Sequence, residues 1–110
     1  MLRGKSKEYY DKIKAIADGH NKKDDKLKVV VGETDMETVL KINPALQSQW
    51  NDIRRMPDFI ICSVNDGVPT VFLFITNGMH EELKDIDSHV KETVSKVTKA
   101  AYILLKNNCR

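Results

Sequence analysis

Cysteine is scarce in this 110-residue chain: Cys62 and Cys109 are the only two. No CxxC and no Cys/His pair has metal-ligand spacing, which argues against a structural zinc site. Cys62 stands in an apolar run, where a free thiol is commonly buried, and Cys109 in a polar tail. A reducing compartment suits both thiols, so a cytoplasmic location is expected. Long hydrophobic runs are missing too. Runs such as Phe59 to Cys62 and Val71 to Ile75 fall far short of the ~20 residues that span a bilayer, so no membrane partner is expected. Met1 to Lys5 lack the apolar stretch of a secretory signal. A dominant charge is absent: 18 basic and 16 acidic residues leave +2, too balanced for charge alone to imply nucleic-acid binding. The five glycines are scattered, with neither a P-loop nor a GxGxxG, so no nucleotide cradle is expected. Ser63, Ser88 and Ser95 lack flanking elbow glycines, and Cys62 reads as buried, so no activated nucleophile stands out.

What is present is an ordinary globular composition, 41% apolar and 31% charged, which argues against disorder. The length fits one domain over residues 1–110 that can bury a core without staples. Tyr9, Ile13, Ile16 and Ala17 recur at helical spacing and predict a helix from about Lys5 to Ala17, with Gly19 as its C-cap. His20 to Lys26 is polar and reads as a loop. Leu27 to Gly32, with three consecutive valines, reads as a buried strand. Thr34 or Asp35 caps a short helix, and Ala45 to Arg55 forms another that puts Leu46, Trp50 and Ile53 on one face.

Phe59 to Cys62 and Val71 to Ile75 are strands. Asp66-Gly67 between them is a strong hairpin signal, and Pro69 can open the second strand. That second strand has no polar alternation, so both its faces are expected to be covered. Ile86, Val90, Val94, Val97, Ala101 and Leu104 keep an apolar stripe over about five turns and predict a long last helix. The expected fold is therefore α/β (α+β): a small mixed sheet of about three strands with a central hairpin. An N-terminal and a long C-terminal helix flank it, in the order α-β-α-α-β-β-α.

Three histidines, His20, His80 and His89, lack partners at ligand spacing. His80-Glu81-Glu82 is not a HExxH, and His89 reads as a surface group at the edge of the stripe. Carboxylates offer more. The stretch Pro57-Asp58-Phe59-Ile60-Ile61-Cys62, a turn, then Pro69 to Gly78, with Trp50-Asn51-Asp52-Ile53-Arg54-Arg55 before it, resembles the core of the PD-(D/E)XK (restriction-endonuclease-like) nuclease superfamily. The likeness covers Leu27 to His80, about half the chain.

It implies a nuclease-like core in which Asp58 matches the first Mg²⁺ carboxylate. The second carboxylate would fall at Phe74 or Ile75, and the lysine at Thr76 or Asn77, none of which carries charge. The chain thus resembles a small degenerate member lacking the acidic and lysine motif. The alternative is a metal-dependent nuclease or phosphodiesterase that joins Asp58 to relocated carboxylates, Glu33 or Asp35 after the first strand or Glu8 from the first helix, with Mg²⁺ as its cofactor.

The segment Trp50 to Met56 carries residue types enriched at binding hot spots, so Trp50, Arg54 and Arg55 are the candidate binding residues. The last helix could also pair with its own copy in a homodimer, although packing on its own sheet is its first use. The expectation that follows is a non-catalytic binding or regulatory module without a cofactor, serving a protein or nucleic-acid partner. Purified protein incubated with DNA or RNA in millimolar Mg²⁺ or Mn²⁺ should leave the substrate intact. Loss of substrate that Asp58→Ala abolishes would establish the nuclease instead.

Overall fold

The structure, a computed structural model, describes residues 2–23, 26–76 and 79–108. Asn77, Gly78 and Cys109, named above as motif and tail positions, lie outside the described residues. In chain order the elements are α1 (Gly4–Lys23), β1 (Lys28–Glu33), α2 (Met36–Ile42), a 3-10 helix (Pro44–Gln49), α3 (Trp50–Ile53), β2 (Asp58–Asn65), β3 (Val68–Ile75), a 3-10 turn (Met79–Glu82) and α4 (Ile86–Asn108). The expected α+β order holds, with a mixed three-stranded sheet ordered β1-β3-β2. No helix of the described residues is long and apolar enough to cross a membrane.

The hairpin forms as its sequence predicts. Asp66 and Gly67 have φ of 51° and 79°, the two positive values a two-residue type I′ turn requires. This turn sets the register, pairing Asn65 with Val68 and, at the far end, Asp58 with Ile75. β1 then adds to β3 in parallel, from Lys28 opposite Thr70 to Glu33 opposite Ile75. Because β1 begins opposite Thr70, it makes no demand on Pro69 for a ladder hydrogen bond.

Register and pleat decide which residues meet the helices. Val29 and Val31 of β1, Val71, Leu73 and Ile75 of β3, and Ile60 of β2 pack with Tyr9, Ile13 and Ala17 of α1 and Val90, Val97 and Ala101 of α4. Residues on the other parity, among them Val30, Phe59, Ile61 and Phe72, are only half-buried, whereas Phe74 is buried. The expectation that both faces of β3 are covered is thus met fully on the helix side alone. Phe74 stacks on Phe59 with ring centroids 5.2 Å apart.

Helix α1 departs from its predicted end. Gly19 lies inside the helix, which continues through His20 to Lys23. Of the polar stretch read as a loop, His20 to Lys23 is helical, Asp24 and Asp25 lie outside the described residues, and Asn21 is fixed to β1. Its Nδ2 donates to the Val29 carbonyl at 2.7 Å, and its Oδ1 accepts from the Val29 N–H at 2.9 Å. This side-chain amide satisfies β1 as a neighbouring strand would, and so blocks that position of the sheet edge. At the other end, Gly4 has φ of 58°, and the Glu81 carboxylate accepts from the Lys5 N–H at 2.9 Å, where it also faces the positive end of the helix dipole. Asp35 caps α2 as expected, accepting from the Glu37 N–H at 2.9 Å. Cys62, read from its apolar run as buried, is exposed instead, because β2 is an edge strand.

Two substitutions test these local devices. Asn21→Ala should lower unfolding free energy by about 1–3 kcal/mol, since it removes two hydrogen bonds to one strand residue. Gly67→Ala should cost about 1 kcal/mol through its positive φ. Urea denaturation followed by circular dichroism measures both.

Candidate functional site

Asp58 opens β2 and points to the helix side, where α1 and α4 meet. Its Oδ2 accepts a hydrogen bond from the Tyr9 hydroxyl at 3.0 Å, and the Thr93 hydroxyl stands 3.5 Å away. Tyr9 Oη and Thr93 Oγ1 are in direct hydrogen-bond contact. The Nε2 of His89 lies 3.7 Å from the same carboxylate oxygen, so the two form an ion pair whenever His89 is protonated. His80 stacks obliquely on Tyr9, with centroids 4.6 Å apart, and its Nδ1 is 3.1 Å from the Ser6 hydroxyl. Tyr9, His80 and Thr93 have no solvent exposure, and Asp58 keeps only 10% of its side chain accessible.

This is a buried polar network centred on Asp58, Tyr9 and Thr93, while the Nε2 atoms of His80 and His89 are buried beside it without a hydrogen-bond partner. Burial pushes the Tyr9 hydroxyl well above its ordinary pKa, and the Asp58 charge beside it adds to the rise, while the Thr93 hydroxyl partly offsets it. Burial, reinforced by the neighbouring His89, holds His80 below the ordinary imidazole value. His89 is therefore not the surface group its sequence position suggests. Its side chain is 17% exposed, because α4 presents it inward beside Thr93, one turn further on.

The carboxylates that a relocated metal site would need do not converge. Asp58 and Glu33 both pair with Ile75 in the sheet, one from each side. Two strand spacings of ~4.8 Å separate their backbones by roughly 10 Å, and the fully buried Ile75 fills the space between. Asp35 is spent as the α2 cap, and Glu8 is an exposed residue of α1. Phe74 and Ile75 are core residues. The Thr76 hydroxyl donates to the Met56 and Pro57 carbonyls, closing the hairpin base. Among the described residues no group of three or more His, Cys, Asp or Glu side chains is placed to hold a metal ion.

Glu33 belongs to a different site. A pocket of about 200 Å³ opens beyond the carboxyl ends of the parallel strands β1 and β3, lined by Leu2, Glu33, Thr34, Trp50, Arg54, Ile75 and Thr76. The open ends of parallel strands are where α/β sheets commonly bind ligands. Several short devices build it. Asn43 caps the 3-10 helix through the Ala45 N–H at 3.2 Å, which leads into Trp50. The Arg54 N–H returns to the Trp50 carbonyl at 3.0 Å, closing α3 and leaving both side chains at the pocket. Glu33 accepts from the Leu2 N–H at 3.1 Å. Thr34 carries a buried hydroxyl with no hydrogen-bond partner.

Trp50 and Arg54, two of the three candidate binding residues, are thus brought together, and they meet Glu33, one of the candidate metal carboxylates. Arg55 is exposed and does not line the pocket. The network around Asp58 escapes sequence reading because Tyr9 sits on the apolar stripe of α1 and passes for ordinary core. The one available signal was Thr93, a hydroxyl directly beside Val94 on the stripe of α4. Comparison with family models, with curated proteins and with solved structures gives no match.

Two predictions follow from the buried network. Tyr9→Phe removes the donor to a carboxylate that is nearly dry, and should cost about 1–3 kcal/mol in urea denaturation. The second concerns pH. His80 binds its proton less readily folded than unfolded, so its contribution is full above the unfolded value of about 6.5 and is lost as pH falls below it. Tyr9 holds its proton more tightly folded, so its contribution is full below about pH 10 and is lost above it. Thermal unfolding midpoints should therefore plateau between those values, and His80→Gln should flatten the acid side alone.

Proposed function

We propose that this chain is a non-catalytic binding module whose partner is a protein, held at the carboxyl ends of β1 and β3 by Trp50 and Arg54. The observation that carries this reading is the pocket that joins those two side chains to Glu33 and Thr34. An aromatic ring, a guanidinium and a carboxylate in one concavity can take up a polypeptide's mixed apolar, acidic and basic groups. A nucleic acid, whose affinity depends on phosphate neutralisation, would meet the Glu33 carboxylate beside Arg54, with exposed Asp35 and Asp52 on the segments that flank it. A cytoplasmic location agrees with the two thiols.

The nuclease-like reading of the hairpin rests on the resemblance around Asp58. The surroundings of Asp58 count against catalysis there: its carboxylate accepts from Tyr9 and stands beside Thr93 and His89, and none of these is a second carboxylate. Under the binding reading, Asp58 joins the helices to the sheet and leaves recognition to the opposite side of Ile75.

Trp50 is the only tryptophan, so its fluorescence reports the pocket directly. Peptides selected from a random library for binding to the folded chain should shift Trp50 emission, and Arg54→Ala should weaken them at least ~10-fold. Single-stranded DNA and RNA oligonucleotides should leave the emission unchanged at physiological salt. Salt-sensitive quenching by oligonucleotides would replace the protein partner with a nucleic acid, and peptides indifferent to Arg54→Ala would remove this pocket from the reading.

A further inference from the structure

A second cavity, of about 240 Å³, lies between α1, α4 and the sheet, well away from Trp50. Its origin is local. The helices are joined closely where Tyr9 meets Thr93, while two and more turns further on the facing residues are Ala17 and Ala101, too small to fill the gap. The floor is Val29 and Leu73 of the sheet. Exposed Ile16 and Thr98 stand at the margin, where the cavity reaches solvent between the helices.

Of the lining residues only His20 and Thr98 are polar. The Thr98 hydroxyl is spent on the Val94 carbonyl at 2.8 Å. The Nε2 of His20 is buried and has no hydrogen-bond partner. Water is a poor remedy. A buried water typically makes about three hydrogen bonds, and this lining offers one free polar atom. An apolar cavity of about 150 Å³ holds a benzene ring, so the present one has room for a ring with a polar substituent.

We propose that this cavity binds a small, largely apolar molecule carrying one hydrogen-bonding group, with His20 Nε2 as its polar contact and the aliphatic lining as its seat. An imidazole nitrogen serves as acceptor or donor according to tautomer, so a hydroxyl is a matched head group. The extension of α1 past Gly19 is what brings His20 over the cavity. The site does not depend on the pocket at Trp50, and either can fail without the other.

The test uses p-cresol and toluene, which share a ring and a methyl group and differ by one hydroxyl. Each is titrated into isotopically labelled protein and followed by NMR at the resonances of Ala17 and Ala101. Saturable shifts are expected for both, with p-cresol at least ~10-fold tighter, the worth of one buried hydrogen bond. His20→Phe should erase that preference. Ala101→Leu should fill the cavity and abolish binding. Thr98→Phe, a change at an exposed margin position, should block entry and keeps the test readable if Ala101→Leu does not fold. Three results would overturn the proposal: no saturable shift with p-cresol, equal affinity for toluene, or binding that survives Thr98→Phe.

Discussion

The contact of Tyr9 with Asp58 and Thr93 is the constraint on which the rest of the structure depends. It ties α1, β2 and α4 together at one point, through groups 9, 58 and 93 in the chain. Hydrophobic burial alone would let two helices slide on a sheet, because it has no direction. A hydroxyl that must donate to one buried carboxylate does have direction, and leaving that carboxylate unpaired is costly. The network therefore fixes where the helices sit, while the aliphatic residues beside it supply most of the burial.

That fixed point shapes both cavities. The helices meet closely at Tyr9 and Thr93, so the small Ala17 and Ala101 leave space further along. On the sheet, Ile75 separates the Asp58 network from the polar pocket at Glu33 and Trp50. One row of paired residues thus divides a dry structural junction from an open concavity. Asp58 and Glu33, which a metal-dependent mechanism would need side by side, stand on opposite sides of it.

Much of the fold was legible because its signals are local. The Asp66-Gly67 turn dictates positive φ whatever surrounds it, and the stripe from Ile86 to Leu104 repeats often enough to exclude a strand. The end of α1 is not legible because Gly19 is a common helix terminator, and the contact that overrides it, Asn21 with Val29, joins the helix to a different element eight residues on. Trp50 and Arg54 were identified from residue type alone. Their meeting with Glu33 was not legible, since it depends on β1 joining β3 rather than β2.

By itself the sequence determined the order of the main helices and strands, the Asp66-Gly67 hairpin, and the absence of charged groups at Phe74, Ile75 and Thr76. These follow from turn chemistry, apolar periodicity and residue identity, which act over a few residues. Only the tertiary structure decided that Cys62 is exposed, that His89 faces inward, that Asp58 is held by Tyr9 and Thr93, and that Glu33 joins Trp50 and Arg54. Each of these rests on strand order and helix docking. Such contacts span tens of residues, and no local pattern encodes which distant side chain will complete them.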